Sequence, residues 1–171
     1  MEISQDITME ISQSRAATDV RHRVTAPNSI PRSIKLVGVG EGGTRTAARV
    51  AEQRLRNVEV ITLGANRPDV GTSSSGVLQA IAAEGNGIAK ALEGANMVLL
   101  AATSGDDVSF APVISGIAHR MGVLVTGIII QKDALHGQTE PGLDVLRAAA
   151  DMLVISSDES YVVEMLTALG A

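Results

Sequence analysis

The residues best suited to chemistry lie in a glycine-rich segment, residues 34–44. A short apolar run ends there in four closely spaced glycines: Gly38, Gly40, Gly42 and Gly43. Apolar residues at spacings of three and four follow, which predicts a strand, a tight turn and then a helix. Glycine suits such a turn because a Cβ would block the approach of a ligand to the backbone. The free amides and positive dipole end of the helix favour an anion, most often a phosphate.

A second group of candidate residues follows the third predicted strand. Asp106 and Asp107 are adjacent in the loop Thr103–Phe110 and would offer hard oxygen ligands to Mg²⁺ beside a phosphate. The alternative is an acidic loop exposed to solvent. Three further residues after the fourth strand, Asp133, His136 and Glu140, could reach the same crevice, with His136 as a general base or metal ligand.

These loops must be positioned by the regular alternation of strands and helices that begins at Ile34. Strands are predicted at 34–39, 58–63, 96–102, 123–130 and 152–156, and helices at 44–56, 76–93, 111–121, 139–149 and 159–169. The strands are nearly continuous apolar runs, which is typical of a parallel sheet covered on both faces. We therefore expect a doubly wound, Rossmann-like α/β three-layer sandwich with a five-stranded sheet of order 2-1-3-4-5. Its crevice would lie between Gly40–Thr44 and Thr103–Phe110.

Composition limits the classes of function. The chain has 171 residues, a formal net charge of -5 and no cysteine, which argues against nucleic-acid binding and permits a reducing cytoplasm. No apolar run reaches membrane-spanning length and residues 1–33 do not form a signal peptide, so a cytoplasmic protein is expected. Residues 1–33 are predicted to be a disordered tail, with Met1–Gln5 repeated at Met9–Gln13, and residues 34–171 a single domain.

The spacing Gly38-x-Gly40-x-x-Gly43 also fits a dinucleotide-binding fingerprint. That interpretation needs an acidic residue at the end of the second strand to hold the ribose. The strand instead runs into Gly64-Ala65-Asn66-Arg67, where only Arg67 would suit a 2′-phosphate. A nicotinamide cofactor is therefore disfavoured, and a P-loop is excluded because no Gly-Lys-Ser/Thr follows the glycines.

The chain from about 34 to 160 resembles the nucleotide-binding half of the tubulin/FtsZ superfamily, bacterial FtsZ especially. The similar segments occur in the family's order: 34–43, 57–60, 91–98, 111–114, 122–125 and 151–155. The resemblance implies the same fold and binding of GTP or GDP, or of another phosphorylated ligand, with Mg²⁺ as a possible companion. We expect these residues to bind the ligand: Gly38, Gly40, Gly42, Gly43, Thr44, Arg45, Thr103, Ser104 and Gly105.

The sequence departs from that family in four ways. The family's second glycine-rich loop, GGGTGTG, is replaced by Thr103–Phe110, whose two carboxylates would repel a triphosphate. Arg45 stands where the family has an asparagine, and could contact an anion instead. The segment after the second strand is short, and the chain ends at Ala171, before the family's central helix, catalytic acidic loop and carboxy-terminal domain. We therefore expect a truncated, divergent domain that lacks GTP hydrolysis of the FtsZ kind and filament formation.

Three hypotheses for function remain open at this point. The leading one is binding of a nucleotide or other phosphorylated small ligand at the glycine-rich loop. The second is a protein-interaction module that has lost the ligand, and the third is an enzyme with a rebuilt site at Asp106, Asp107 and His136.

Valine at Gly40 or Gly43 is expected to abolish phosphate binding. The apolar helix at 159–169 would either pack into the core or form an oligomer contact.

Overall fold

The computed structural model describes residues 32–63, 85–131 and 141–170. The described elements are β1 (Ile34–Gly38), α1 (Gly40–Glu52), β2 (Val58–Ile61), α2 (described over 85–91), β3 (Met97–Thr103), α3 (Ala111–Arg120), β4 (Leu124–Ile130), α4 (Pro141–Ala149), β5 (Met152–Ser156) and α5 (Ser160–Ala168). The segment 132–140, which contains Asp133, His136 and Glu140, lies outside the described residues, as do 1–31 and 64–84.

The strands of the described part form one five-stranded sheet in the order β2-β1-β3-β4-β5, and every neighbouring pair is parallel. The predicted strand order and direction are therefore confirmed. The order reverses between β1 and β3, where Ile34 is in register with Met97 and Gly38 with Ala101. Loops that leave the carboxyl ends of β1 and β3 must diverge to opposite faces of the sheet, which opens a crevice between them.

Each face of the sheet carries its own core. Val37, Val98 and Leu100 face one side and pack against α2, α3 and α4. Leu36 and Leu99 face the other side and pack against α1 and α5. This alternation follows from the two-residue period of a strand, and apolar residues at every position are therefore needed to bury both faces. The aliphatic composition is sufficient because almost the whole of β1 and β3 is inaccessible to solvent.

The last helix belongs to this core. Val162 and Leu166 of α5 are fully buried, whereas Tyr161 stays 41% exposed. The packing interpretation of the segment 159–169 is therefore the one that the structure supports. No helix in the described ranges is both long and apolar enough to cross a membrane.

Helix α1 begins four residues before its predicted start at 44. Gly40, Gly42 and Gly43 consequently lie inside the first turn of the helix and not in a loop before it. The residue before the helix, Val39, has an extended backbone and provides no side-chain cap. The early start needs another source of hydrogen-bond acceptors for the first amides, because those amides have no partner within the helix.

Candidate functional site

The two loops predicted to flank the crevice meet each other. The turn that follows β3 places the Asp106 carboxylate against the amino-terminal end of α1. Its Oδ1 accepts a hydrogen bond from the Gly42 amide at 2.8 Å, and its Oδ2 accepts one from the Gly43 amide at 2.8 Å. The Thr103 amide donates a third hydrogen bond to Oδ2 at 2.7 Å.

Asp106 therefore caps α1 from 63 to 64 residues away in the sequence. A carboxylate at a helix amino terminus is favoured twice, because it satisfies unpaired amides and interacts with the positive end of the helix dipole. Amides from two separate elements, α1 and the end of β3, converge on one anionic group. This geometry places an anionic side chain of the protein itself at the switch point of the sheet.

The glycines are required by the packing around this position. A Cβ on Gly43 would overlap the carbonyl oxygen of Ala101 in β3. A Cβ on Gly42 would lie 2.5 Å from Thr103 Oγ1 and 2.9 Å from Asp106 Oδ2. Gly40 has a φ of +77°, and a Cβ there would overlap Cβ of Asp106. Glycine thus permits contact with the protein's own loop, whereas the sequence had suggested contact with a ligand.

Two of the predicted binding residues are engaged within α1 itself. The Thr44 hydroxyl donates to the Gly40 carbonyl oxygen at 2.6 Å. The Arg45 guanidinium pairs with Glu41 at 2.6 Å on the exposed side of the helix. Such exposed pairs at i, i+4 hold a side chain weakly, by about 0.3–0.5 kcal/mol, so the ion pair does little to fix Arg45 in place.

The remaining predicted residues shape the turn after β3. Ser104 donates its amide to the Ile130 carbonyl oxygen at 2.9 Å, which ties the turn to β4. Gly105 has a φ of +85°, a conformation that favours glycine, and the Asp106 amide then donates to the Thr103 carbonyl oxygen at 3.0 Å. The turn therefore aims the carboxylate of Asp106 back toward α1.

The neighbouring acid, Asp107, has a different local role. Its Oδ1 accepts the Ser109 amide at 3.0 Å within its own loop. Among the described residues there is no group of three or more histidine, cysteine, aspartate or glutamate side chains placed to hold a metal ion. The magnesium site at Asp106 and Asp107 stays a prediction, and the proposed catalytic group that includes His136 lies partly outside the described residues.

A groove of about 370 Å³ borders the glycine-rich segment on its β2 side. Gly38 and Thr44 line one part of it, Ala48 and Ala51 of α1 another, and Val60 of β2 a third. Its volume lies within the range of about 300–1,000 Å³ found for small-molecule sites. The small side chains of α1 leave this space open beside the predicted binding residues.

A second polar cluster lies at the opposite edge of the sheet and had no counterpart in the sequence interpretation. Asp151 Oδ2 accepts the Val125 amide at 2.8 Å and lies 3.1 Å from Nε2 of His119. His119 Nδ1 lies 3.4 Å from the Ser115 hydroxyl. The i, i+4 spacing of Ser115 and His119 on one helix was the only sequence signal for the cluster.

The order serine, histidine, aspartate is that of a nucleophilic triad, but this cluster is not arranged for catalysis. Ser115 is 3% exposed and donates its hydroxyl to the Ala149 carbonyl oxygen. A buried hydroxyl that already donates to the backbone cannot attack a substrate. The Val125 amide, and then the hydrogen bond from His119, lower the pKa of Asp151 below 3.8, so its carboxylate stays charged and joins α3, β4 and β5.

Comparison with solved structures identifies the same fold in FtsZ. A mutant FtsZ from M. jannaschii matches with a TM-score of 0.54 and 19% identity, over 72% of this chain and 46% of that chain. An empty FtsZ dimer from M. jannaschii matches with a TM-score of 0.52 and 18% identity, over 80% of this chain and 52% of that one. No family model matches the chain.

The chain thus has an FtsZ-like fold and spans about half the length of the solved FtsZ chains that it matches. The TM-scores of 0.54 and 0.52 establish the shared architecture. At identities of 18–19%, the chemistry has to be argued from the site itself. In this fold class the switch point of a doubly wound sheet is where ligands bind. The Asp106 carboxylate and the three amides that it accepts lie there.

Proposed function

We propose that this chain is an FtsZ-like domain that binds a nucleotide or another phosphorylated small ligand at the glycine-rich segment. We further propose that it does so without GTP hydrolysis or polymerisation of the FtsZ kind. The proposal rests on one observation, the convergence of the Gly42, Gly43 and Thr103 amides on a single anionic group.

A carboxylate held by three backbone amides at 2.7–2.8 Å reports a position with strong preference for negative oxygen. Phosphate oxygens need the same hydrogen-bond geometry and the same positive surroundings. The amino termini of helices commonly provide both. The groove lined by Gly38 and Thr44 begins at the same segment and would hold the less charged remainder of a small ligand.

The second loop supports the absence of FtsZ-type chemistry. Where a glycine-rich loop would surround a polyphosphate with amides, this chain places Asp106 and Asp107. Two unit charges about 5 Å apart interact by about 3 kcal/mol at an effective dielectric of about 20, which disfavours an unshielded γ-phosphate beside either acid. We infer a ligand with less negative charge than GTP, or one that binds with a bridging Mg²⁺.

A second candidate function is a protein-interaction module that no longer binds nucleotide. The same hydrogen bonds favour this function, because Asp106 already satisfies the three amides without any ligand. A fold stabilised in this way needs no phosphate to complete it. Its partner would be another protein, which includes a second copy of this chain. No interaction surface is assigned to this candidate function.

The test is a titration of the full chain with pyrophosphate, GDP and GTP, each with and without Mg²⁺, followed by calorimetry and thermal unfolding. A millimolar ligand with a micromolar Kd stabilises a protein by about 4 kcal/mol. Saturable binding of any of these ligands supports the proposed function. Binding of none of them, by the parent or by a variant without the Asp106 carboxylate, favours the interaction module.

The absence of FtsZ-type chemistry is tested separately. Phosphate release from GTP and light scattering of the purified protein should both stay at the level of buffer alone. GTP-dependent scattering would contradict the second part of the proposal while leaving the binding proposal intact.

A further inference from the structure

We propose that the Asp106 carboxylate is a built-in competitor for the anion site, which closes the site when no ligand is present and must leave before a phosphate can bind. This inference rests on the proposed function and adds to it a mechanism of regulation. The carboxylate occupies the point at which the Gly42, Gly43 and Thr103 amides converge, so carboxylate and phosphate exclude each other there.

The surroundings of the carboxylate form a recess built for it. Gly40 and Gly42 both border the Asp106 side chain, and a Cβ on either residue would press against it. With a Cβ on Gly40, the distances to Cγ and Oδ1 of Asp106 would be 2.6 and 2.9 Å. The absence of a Cβ on these two glycines therefore gives the carboxyl group of Asp106 room to reach the amides. Removal of that group would leave three amide donors facing an open recess.

The turn that carries Asp106 does not depend on the carboxylate alone. The Asp106 amide donates to the Thr103 carbonyl oxygen, and the Ser104 amide donates to Ile130 in β4. Val108, two residues further on, is 3% exposed and packs into the core. Asp106 itself is only half-buried. Rotation of its side chain toward solvent can thus release the amides while the backbone of the turn stays in place.

Competition of this kind selects ligands by their charge and number of oxygens. A monocarboxylate offers the amides nothing that Asp106 does not already supply from within the molecule. A phosphate or pyrophosphate adds charge and further acceptor oxygens, and so can displace the carboxylate. The apparent Kd of such a ligand is its intrinsic Kd divided by the fraction of molecules in which the site is open.

The experiment compares the parent with two variants at Asp106 in titrations with sodium pyrophosphate. Asp106→Ala empties the recess, whereas Asp106→Asn keeps its shape but removes the charge and one acceptor. We expect Asp106→Ala to lower the Kd about tenfold or more, which corresponds to about 1.4 kcal/mol, and Asp106→Asn to lower it by less. The Asn variant keeps the test valid if the Ala variant does not fold.

The control variant is Asp107→Asn, which removes the same charge from the same loop without touching the three amides. Long-range repulsion alone should change the Kd by about threefold or less. In amide NMR spectra, the resonances of Gly42, Gly43 and Thr103 should move during the titration in both the parent and the variants. These resonances identify the site independently of the affinity.

Each outcome decides one of the two proposals. Tighter binding by the Asp106 variants than by Asp107→Asn supports the competitor. Equal pyrophosphate affinity in the parent and Asp106→Ala, with the same amides perturbed, overturns the competitor while the proposed function stands. No binding by any variant overturns both.

Discussion

Two aspartates lie at opposite ends of the strands of the sheet. Both accept hydrogen bonds from backbone amides, but their roles differ. Asp106, after the carboxyl end of β3, accepts amides from α1 and β3. Asp151, before the amino end of β5, accepts the Val125 amide and a hydrogen bond from His119. Each joins elements that are far apart in the chain, and Asp106 in addition replaces a local helix cap with a remote one.

The difference between them lies in what else could take their place. The amides at Asp106 belong to a helix amino terminus at the switch point, where the dipole and the crevice favour a free anion. Asp151 instead lies near the carboxyl end of α3, where the dipole disfavours a free anion. The same kind of hydrogen bond thus lies where we propose that a ligand binds at one end of the strands, and forms a structural joint at the other end.

The largest effect on the free energy of unfolding is expected for a substitution at Gly43. In Gly43→Val the new side chain meets the Ala101 carbonyl oxygen, which cannot move without displacing β3. We expect a loss of more than about 3 kcal/mol in the free energy of unfolding, measured by urea denaturation. The variant would thus lose phosphate binding by unfolding, and the sequence-based expectation of a locally blocked ligand needs this correction.

The control for that prediction is Gly87→Ala in α2, where a Cβ meets nothing within 4 Å. Alanine should stabilise the helix by about 0.5–1 kcal/mol. If Gly43→Val unfolds at the same urea concentration as the parent, β3 and α1 do not pack as described.

The next largest effect is expected for the Asp106 cap. Asp106→Ala should lower the free energy of unfolding by about 1–3 kcal/mol, because three amides lose a charged acceptor. Saturating pyrophosphate should restore part of this loss. Thermal unfolding with and without pyrophosphate measures both changes, and an unchanged midpoint without ligand would mean that the cap contributes nothing.

Asp151 should affect stability alone. Asp151→Asn is expected to cost about 0.5–1 kcal/mol, at the low end for a hydrogen bond because the side chain is 43% exposed. Pyrophosphate binding should equal that of the parent. A changed Kd in this variant would show that Asp151 is coupled to the region around Asp106. It would contradict a purely structural role for Asp151.

The pH dependence of stability gives a further test at Asp151. Its pKa is below 3.8 in the folded protein, so the unfolded state binds the proton more readily. The stabilisation by its carboxylate is therefore complete above the unfolded pKa and is lost as the pH falls through the lower folded value. The difference in stability between the parent and Asp151→Asn should shrink below about pH 4. A constant difference down to pH 2 would contradict it.

The smallest effect is expected at Arg45. Its exposed pair with Glu41 should contribute no more than about 0.5 kcal/mol to stability. In the Asp106→Ala background, Arg45→Ala should weaken pyrophosphate binding only a few-fold, through the loss of a nearby screened charge. A much larger loss would show that Arg45 leaves Glu41 to bind the anion directly.

Much of the fold could be predicted because its signals are local. A nearly continuous apolar run such as Met97–Thr103 needs burial on both faces, and the structure buries it in that way. Such a run therefore indicates a parallel sheet between layers of helices. The strand order followed from the simplest right-handed connections. The start of α1 was missed by four residues because the Asp106 cap that supports it comes from another part of the chain.

The sequence predicted which two loops meet at the crevice, but not which contacts join them. The sequence placed Gly40–Thr44 and Thr103–Phe110 at one crevice, and its charges suggested that Asp106 would oppose a polyphosphate. It carried no sign that the carboxylate itself lies on the Gly42 and Gly43 amides. Nor did it connect His119 with Asp151, which are 32 residues apart.

The sequence by itself thus determined the architecture and the meeting of the two loops at one crevice, because periodicity, glycine spacing and loop order act over a few residues at a time. Only the tertiary structure decided which group lies on the amides at the start of α1. The contact between Asp106 and α1 depends on the register of β1 with β3 and on the turn at Gly105. Packing fixes both together, and the free energy of such a contact is not encoded in either loop alone.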